Sequence, residues 1–343
     1  MFQSVPVAAF QQIPFLDLTA WSQNRYVSNL CFYVKGEWHL YLWDEKEKFI
    51  KIPGTPAQAD YFGDAPERPS DQCFPLFNFI AQKASFRDMH MFAVGIWEDF
   101  QNLATSLAKL DLFFETSKSE GKETARFVAT EIEYIIGVCR SVFDLMQEMV
   151  SRHWQRIELH DKSIKKSQLP SSFANVLFSS NTLQTEEQIA QKYGLPSTFA
   201  NWYLSNAKIF TWIKAVRDGM IHSGSQSVEM LFATERGYGV KKDEKFWADV
   251  YTWPKEAELY NDLYPIRPAI CSLIWLTVNS TTTLAQMLET TFEGPKPMFP
   301  GLKYYSRGFF DNVFVELEDV LTHSWWDDTH REMVKPTARA RAT

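Results

Sequence analysis

Cysteine is scarce and scattered. Cys31, Cys73, Cys139 and Cys271 form no C-x-x-C pair in 343 residues, which argues against a disulfide framework or a thiolate zinc site and fits a reducing compartment. Long apolar runs are missing too. The most apolar stretch, Ala269 to Val278, is about half the length a bilayer requires. No basic n-region precedes the apolar residues of Met1-Phe2-Gln3-Ser4-Val5-Pro6, so neither export nor membrane insertion is expected, and the chain reads as soluble and cytoplasmic. The sequon Asn279-Ser280-Thr281 lies inside a helical pattern and carries little weight without an export signal. Net positive charge is absent: a formal charge of −7 argues against wrapping nucleic acid and leaves only a local basic site for that purpose. Arg236-Gly237-Tyr238-Gly239 lacks the third glycine and following helix of a dinucleotide site, so it reads as a turn. No G-x-S-x-G nucleophile motif occurs. His323, Asp327, Asp328 and His330 match no ligand spacing, so neither a metal nor another cofactor is expected.

What the chain does have is apolar and aromatic substance, 45% hydrophobic with 27 Phe and 12 Trp, enough for a large core. Leu30-Cys31-Phe32-Tyr33-Val34 and Trp38-His39-Leu40-Tyr41-Leu42-Trp43, separated by Lys35-Gly36-Glu37, predict a β-hairpin. Prolines at 53, 56, 66, 69 and 75 then punctuate an irregular connection. From residue 86 the period changes. Met89, Ala93, Ile96, Phe100, Leu103, Leu107, Leu110 and Phe114 form one helical seam, and Val128, Ile132, Ile135, Cys139, Val142, Met146 and Met149 a second. The polar Ser117–Lys122 break makes them an antiparallel helical hairpin. A third helix is predicted from Pro196, with Trp202, Ile209, Ile213, Val216 and Met220 inward, ending by Gly224, and a fourth from about Ile266 to Thr291. The expected fold class is therefore mainly α, a four-helix bundle with an N-terminal β-hairpin segment and a small β-like insertion. Its parts are residues 1–85, the bundle at 86–293 (loop-rich over 158–195, β-like over 226–254), and a C-terminal extension, 294–343, with a basic mobile end.

The segment Arg217-Asp218-Gly219-Met220-Ile221-His222 falls in the last turns of the third helix. Arginine, a polar residue, then histidine after four intervening positions resembles the signature of the HEPN superfamily, and so does its place late in a bundle of long helices. The resemblance spans about residues 86 to 293 and implies a metal-independent endoribonuclease acting as a homodimer, as a toxin or defence effector restrained by a protein inhibitor or antitoxin. The residue types suit that reaction. Histidine titrates near neutrality and can take the proton of a ribose 2′-hydroxyl. Arginine offers a permanent forked charge to phosphate, and Asp218 could orient either. Residues five apart on an ideal helix point about 140° away from each other, so either the helix distorts at Gly219 or two protomers complete one site. Gly224 stands where some HEPN toxins carry a tyrosine modified by a partner nucleotidyltransferase, so that control is not expected.

Other candidates surround this motif. Glu133, Gly137, Arg140 and Asp144 share one face of the second helix, as a dimer face, as support for the site, or as an ordinary i,i+4 ion pair between Arg140 and Asp144. Arg152, His153, Arg156, His160, Lys162, Lys165 and Lys166 form the densest basic run, with Trp154 inside it; Arg152, Arg156, Lys165 and Lys166 could track an RNA backbone while Trp154 stacks a base. A solvated helix end and loop explains the same run. Equally, Arg217 and His222 suit a helix C-terminus whose carbonyls favour cations. The second functional reading is a non-catalytic bundle that binds a nucleotide, another anion or a protein partner.

Overall fold

The computed structural model describes residues 5–20, 25–27, 30–44, 46, 48–121, 123–223, 231–241, 247, 250–308, 313, 314 and 317, with the side chains of 220–223 and 256 excepted. Strands β1 (Cys31–Val34), β2 (Glu37–Asp44), β3 (Lys48–Ile52) and β4 (Ala59–Gly63) precede the helices α1 (Pro75–Gln82), α2 (Arg87–Glu120) and α3 (Ala125–His153). There follow α4 (Phe173–Leu177), the short pair β5 (Phe178–Ser179) and β6 (Thr182–Leu183), and the helices α5 (Glu186–Tyr193), α6 (Ser197–Ser205) and α7 (Ala207–Ser223). Strands β7 (Phe232–Thr234), β8 (Gly237–Lys241) and β9 (Leu263–Pro265), helix α8 (Ile266–Thr291) and strand β10 (Lys303–Arg307) complete the described order.

This order corrects the mainly α, four-helix expectation. The N-terminal hairpin is part of a five-stranded mixed sheet in the order β10-β4-β1-β2-β3, where β1 and β4 run parallel and the other neighbours antiparallel. Two smaller sheets, β5-β6 and β7-β8-β9, accompany it. The last strand comes from the C-terminal extension, so residues far apart in the chain build one layer. Alternation along β1 explains why it sits centrally. Phe32 and Val34 pack with Phe62, Met298 and Phe299 on one face, while Cys31 packs with Tyr61 and Tyr305 on the other. A strand buried on both faces reads as a continuous apolar run, as Cys31–Val34 does. The Lys35-Gly36 turn carries φ of 52° and 80°, the left-handed pair a two-residue hairpin needs.

The long helices do lie where their apolar seams placed them. Every residue of the second seam is buried in α3, and all of the first except the partly buried Ala93 in α2, so the seams face each other across the hairpin. Gly121, at φ 63°, ends α2 with its N–H on the Ser117 carbonyl, a left-handed stop that glycine adopts without strain. The third helix is divided: Asn206 Nδ2 donates to the Trp202 carbonyl at 2.8 Å, closing α6 before α7 begins. Among the described residues no helix is long and apolar enough to cross a membrane.

The loop-rich excursion is held down at Gly194. Its φ is 62°, and a Cβ there would lie 2.0 Å from the Lys165 carbonyl oxygen and 2.8 Å from the Lys166 Cα. Backbone on both sides cannot swing away as a side-chain tip can. Gly194→Ala is therefore expected to cost on the order of 3 kcal/mol, the left-handed penalty plus overpacking, read as a lowered urea midpoint with unchanged slope. A loss under about 0.5 kcal/mol would show that the 165–166 segment moves freely.

Candidate functional site

Helix α7 is fixed by its apolar side. Ile209, Phe210, Trp212, Ile213 and Val216 are buried, the three-and-four spacing of a helix with one inward face. Phe210 packs against Phe143 at 5.7 Å and Phe173 at 4.6 Å between ring centroids, and the Arg140 guanidinium covers its ring at 4.2 Å. Just before α7, the Tyr203 hydroxyl donates to Gln147 Oε1 at 2.9 Å. From 203 to 210 the α3 partner thus steps back from 147 to 140, so the two helices run antiparallel.

Arg217 itself is exposed. Among the described residues, its guanidinium has no hydrogen-bond or ion-pair partner, a condition it shares only with Arg126. The other described arginines bind carbonyls, pair with carboxylates, or have further contacts. Asp218 is engaged with Lys214, Oδ2 to Nζ 2.9 Å, an exposed i,i+4 pair of small energetic weight. The α7 backbone continues as helix through Gly219 to Ser223, so no break at the glycine brings positions 217 and 222 together. The His222 side chain lies outside the described residues, as do His323, Asp327, Asp328 and His330.

On α3, Arg140 holds Asp144 through Nε at 3.0 Å and Nη2 at 2.9 Å, while its Nη1 is buried without a partner. The Arg140–Asp144 ion pair is therefore present, but Arg140 is not on a solvated surface: its side chain is 11% exposed and covers the Phe210 ring of α7. Gly137 and Gly219 are both exposed, and a Cβ at either would meet nothing within 4 Å. No backbone of the described chain uses the close approach those glycines permit.

The basic run is taken up largely by the fold. Trp154 is fully buried between Phe199 and Phe292, so its ring has no face for a base. Lys166 Nζ donates to the carbonyls of Trp154, Gln155 and Ile157 at 2.8, 3.1 and 2.5 Å, closing the C-terminal end of α3. Arg152 pairs with Glu148 and covers Phe92, and Arg156 pairs with Asp88 at 2.5 Å. Lys165 alone of the proposed RNA-tracking set is exposed and unpaired among the described residues.

His153, read from the sequence only as part of the basic run, faces inward. His153 is 5% exposed, its Nε2 lies 3.7 Å from Asp88 Oδ2 and has no hydrogen-bond partner, and burial lowers its basicity. It lines a groove of about 900 Å³ with Met89, Met149, Phe292 and Arg156. The signal was present in the spacing: Val142, Met146, Met149 and His153 continue the α3 seam in steps of four, three and four, which marks His153 as inward-facing. Comparison of the chain with known protein families, curated proteins and solved structures gave no match.

Proposed function

We propose that the chain is a metal-independent endoribonuclease working as a homodimer, with Arg217 on the scissile phosphate and His222 as acid and base. The observation that carries this reading is the exposed Arg217 guanidinium, without a hydrogen-bond or ion-pair partner among the described residues, on a helix otherwise fixed by packing. A guanidinium already paired would have to break that pair before receiving a phosphate; among the described residues Arg217 has none to break. Two features support the dimer. The helix is continuous through Gly219, so positions 217 and 222 stay about 140° apart and cannot address one phosphate from one protomer. Among the described residues nothing lies within 4 Å of a Cβ at Gly137 or Gly219, which leaves room for a second copy to approach closely. Lys165 is the residue of the basic run suited to backbone contact. Asp218 acts by holding Lys214 near the site.

The test is incubation of the purified protein with total RNA in excess chelator, beside His222→Ala, with product ends analysed. Fragments bearing cyclic phosphates are expected from the wild type, and a loss on the order of 10²–10⁴-fold from the variant at unchanged circular dichroism. Equal cleavage by both rejects the assignment. The second reading, a non-catalytic site that binds an anion, a nucleotide or a partner protein, is favoured by the same exposed guanidinium, which suits phosphate with or without chemistry. His222→Gln separates the two, since anion binding survives it and acid–base catalysis does not.

A further inference from the structure

A cavity of about 300 Å³ lies between the five-stranded sheet and the helices α1 and α2. Its walls are aromatic and aliphatic: Phe62 and Phe299 from the sheet side, Phe77 and Ile80 from α1, Trp97 from α2. Into this apolar box projects a single carboxylate, Asp60 of β4. Its Oδ1 accepts from the Ser306 hydroxyl at 2.5 Å, and the Tyr304 hydroxyl also bonds to the carboxyl group. Both donors are neutral and come from β10, the strand paired with β4. His90 also lines the cavity, its ring 5.1 Å from Tyr26, with its basicity lowered by burial. Among the lining residues there is no lysine or arginine. Among the described lining residues the cavity thus has one acid and no lysine or arginine beside it, and aromatic rings, which attract cations, among its walls.

We infer that this cavity binds a small aromatic amine, its ring between Trp97 and Phe299 and its ammonium group on Asp60. The size and lining are those of a small-molecule site, mostly apolar with a few convergent polar groups. The charge selects the ligand. An anion would meet Asp60 in a low-dielectric box, whereas an ammonium would neutralise it and use the carboxylate's remaining lone pairs. The site is distant in sequence from Arg217 and independent of the nuclease reading.

Calorimetric titration of the full chain with tryptamine and with indole-3-acetate, which share a ring and differ in charge, tests this. Tryptamine is expected to bind and indole-3-acetate to bind at least about tenfold more weakly, the scale of one charge-assisted contact. Asp60→Asn should weaken tryptamine by about tenfold at unchanged circular dichroism. Val94→Trp, at the half-exposed rim on α2, should block both without touching the carboxylate, so a folding defect in Asp60→Asn does not leave the matter open. Absence of tryptamine binding, equal binding of the two compounds, or full binding by Val94→Trp overturns the inference.

Discussion

Arg307→Ala is expected to lose about 3–5 kcal/mol of stability, the cost of stranding one partner of a buried ion pair, against a typical total of about 5–15 kcal/mol. The side chain is 3% exposed and Asp71 is fully buried beneath it. Arg307 Nε donates to Asp71 Oδ1 at 2.9 Å and Nη2 to Oδ2 at 2.6 Å, a forked pair, while Nη1 reaches the Pro56 carbonyl at 3.1 Å and Nη2 also meets Glu67. Trp38 and Tyr61 lie under the guanidinium at 5.0 and 5.8 Å. Asp71 in turn accepts from the Tyr61 hydroxyl at 2.7 Å and the Arg68 N–H at 3.0 Å. Alanine removes the cation and leaves the anion in place. Removing both charges together, as Arg307→Met with Asp71→Leu, should recover much of the loss, because the desolvation of each ion disappears with it. Urea unfolding checks both; a single variant within about 0.5 kcal/mol of wild type would mean that water reaches Asp71.

The same pair sets a pH dependence. Burial alone would raise the Asp71 carboxyl, but the bonds from Arg307, Tyr61 and Arg68 outweigh it and hold the group below its ordinary 3.8. A carboxyl lowered in the folded state stabilises fully above its unfolded value and loses that contribution as pH falls through the folded one. Wild type therefore loses this contribution only below about pH 4. In Arg307→Ala the unpaired carboxyl protonates more readily, so the gap between the two proteins should narrow from pH 7 towards pH 3.

What could be read from the sequence follows from the distance over which each signal acts. The seams of α2 and α3 are local: a residue and its fourth neighbour suffice, and their buried residues match the structure closely. The sheet is not local. β10 pairs with β4 through Tyr304↔Phe62 and Tyr305↔Tyr61, residues separated by most of the chain, and each strand is five residues long beside prolines. Nothing in Lys303–Arg307 names its partner, so the segment read as part of an extension and the whole as mainly α. Trp154 shows a different failure. Its charged neighbours suggested a surface, yet at the end of α3 the chain turns inward and Lys166 folds back over it. Charge along a sequence reports which groups need solvent or a partner, and here the partners were Glu148, Asp88 and main-chain carbonyls. At α7 the sequence supplied the motif and the helix, whereas the solvent exposure of Arg217 needed the packing that turns Phe210 inward.

Mixing two inactive variants should restore cleavage. On an unbroken α7, positions 217 and 222 face about 140° apart, so in the proposed dimeric endoribonuclease a working site takes arginine from one protomer and histidine from the other. A two-fold dimer then holds two such sites. Arg217→Ala alone and His222→Ala alone destroy both sites in their own homodimers. In a heterodimer of the two, one site contains both substitutions and the other contains neither. Random exchange at equal concentration makes about half of the dimers heterodimeric, each with one intact site, so cleavage should return to about one quarter of the wild-type rate. An assay of total RNA in chelator, after co-incubation or co-refolding of the variants, reads this directly. Sites contained within single protomers would give no recovery at any mixing ratio, and full activity of either variant alone would remove Arg217 or His222 from the chemistry. Light scattering under the same conditions should find the dimer at micromolar concentration. A monomer that nevertheless cleaves RNA would require His222 and Arg217 to meet within one chain, against the continuity of α7.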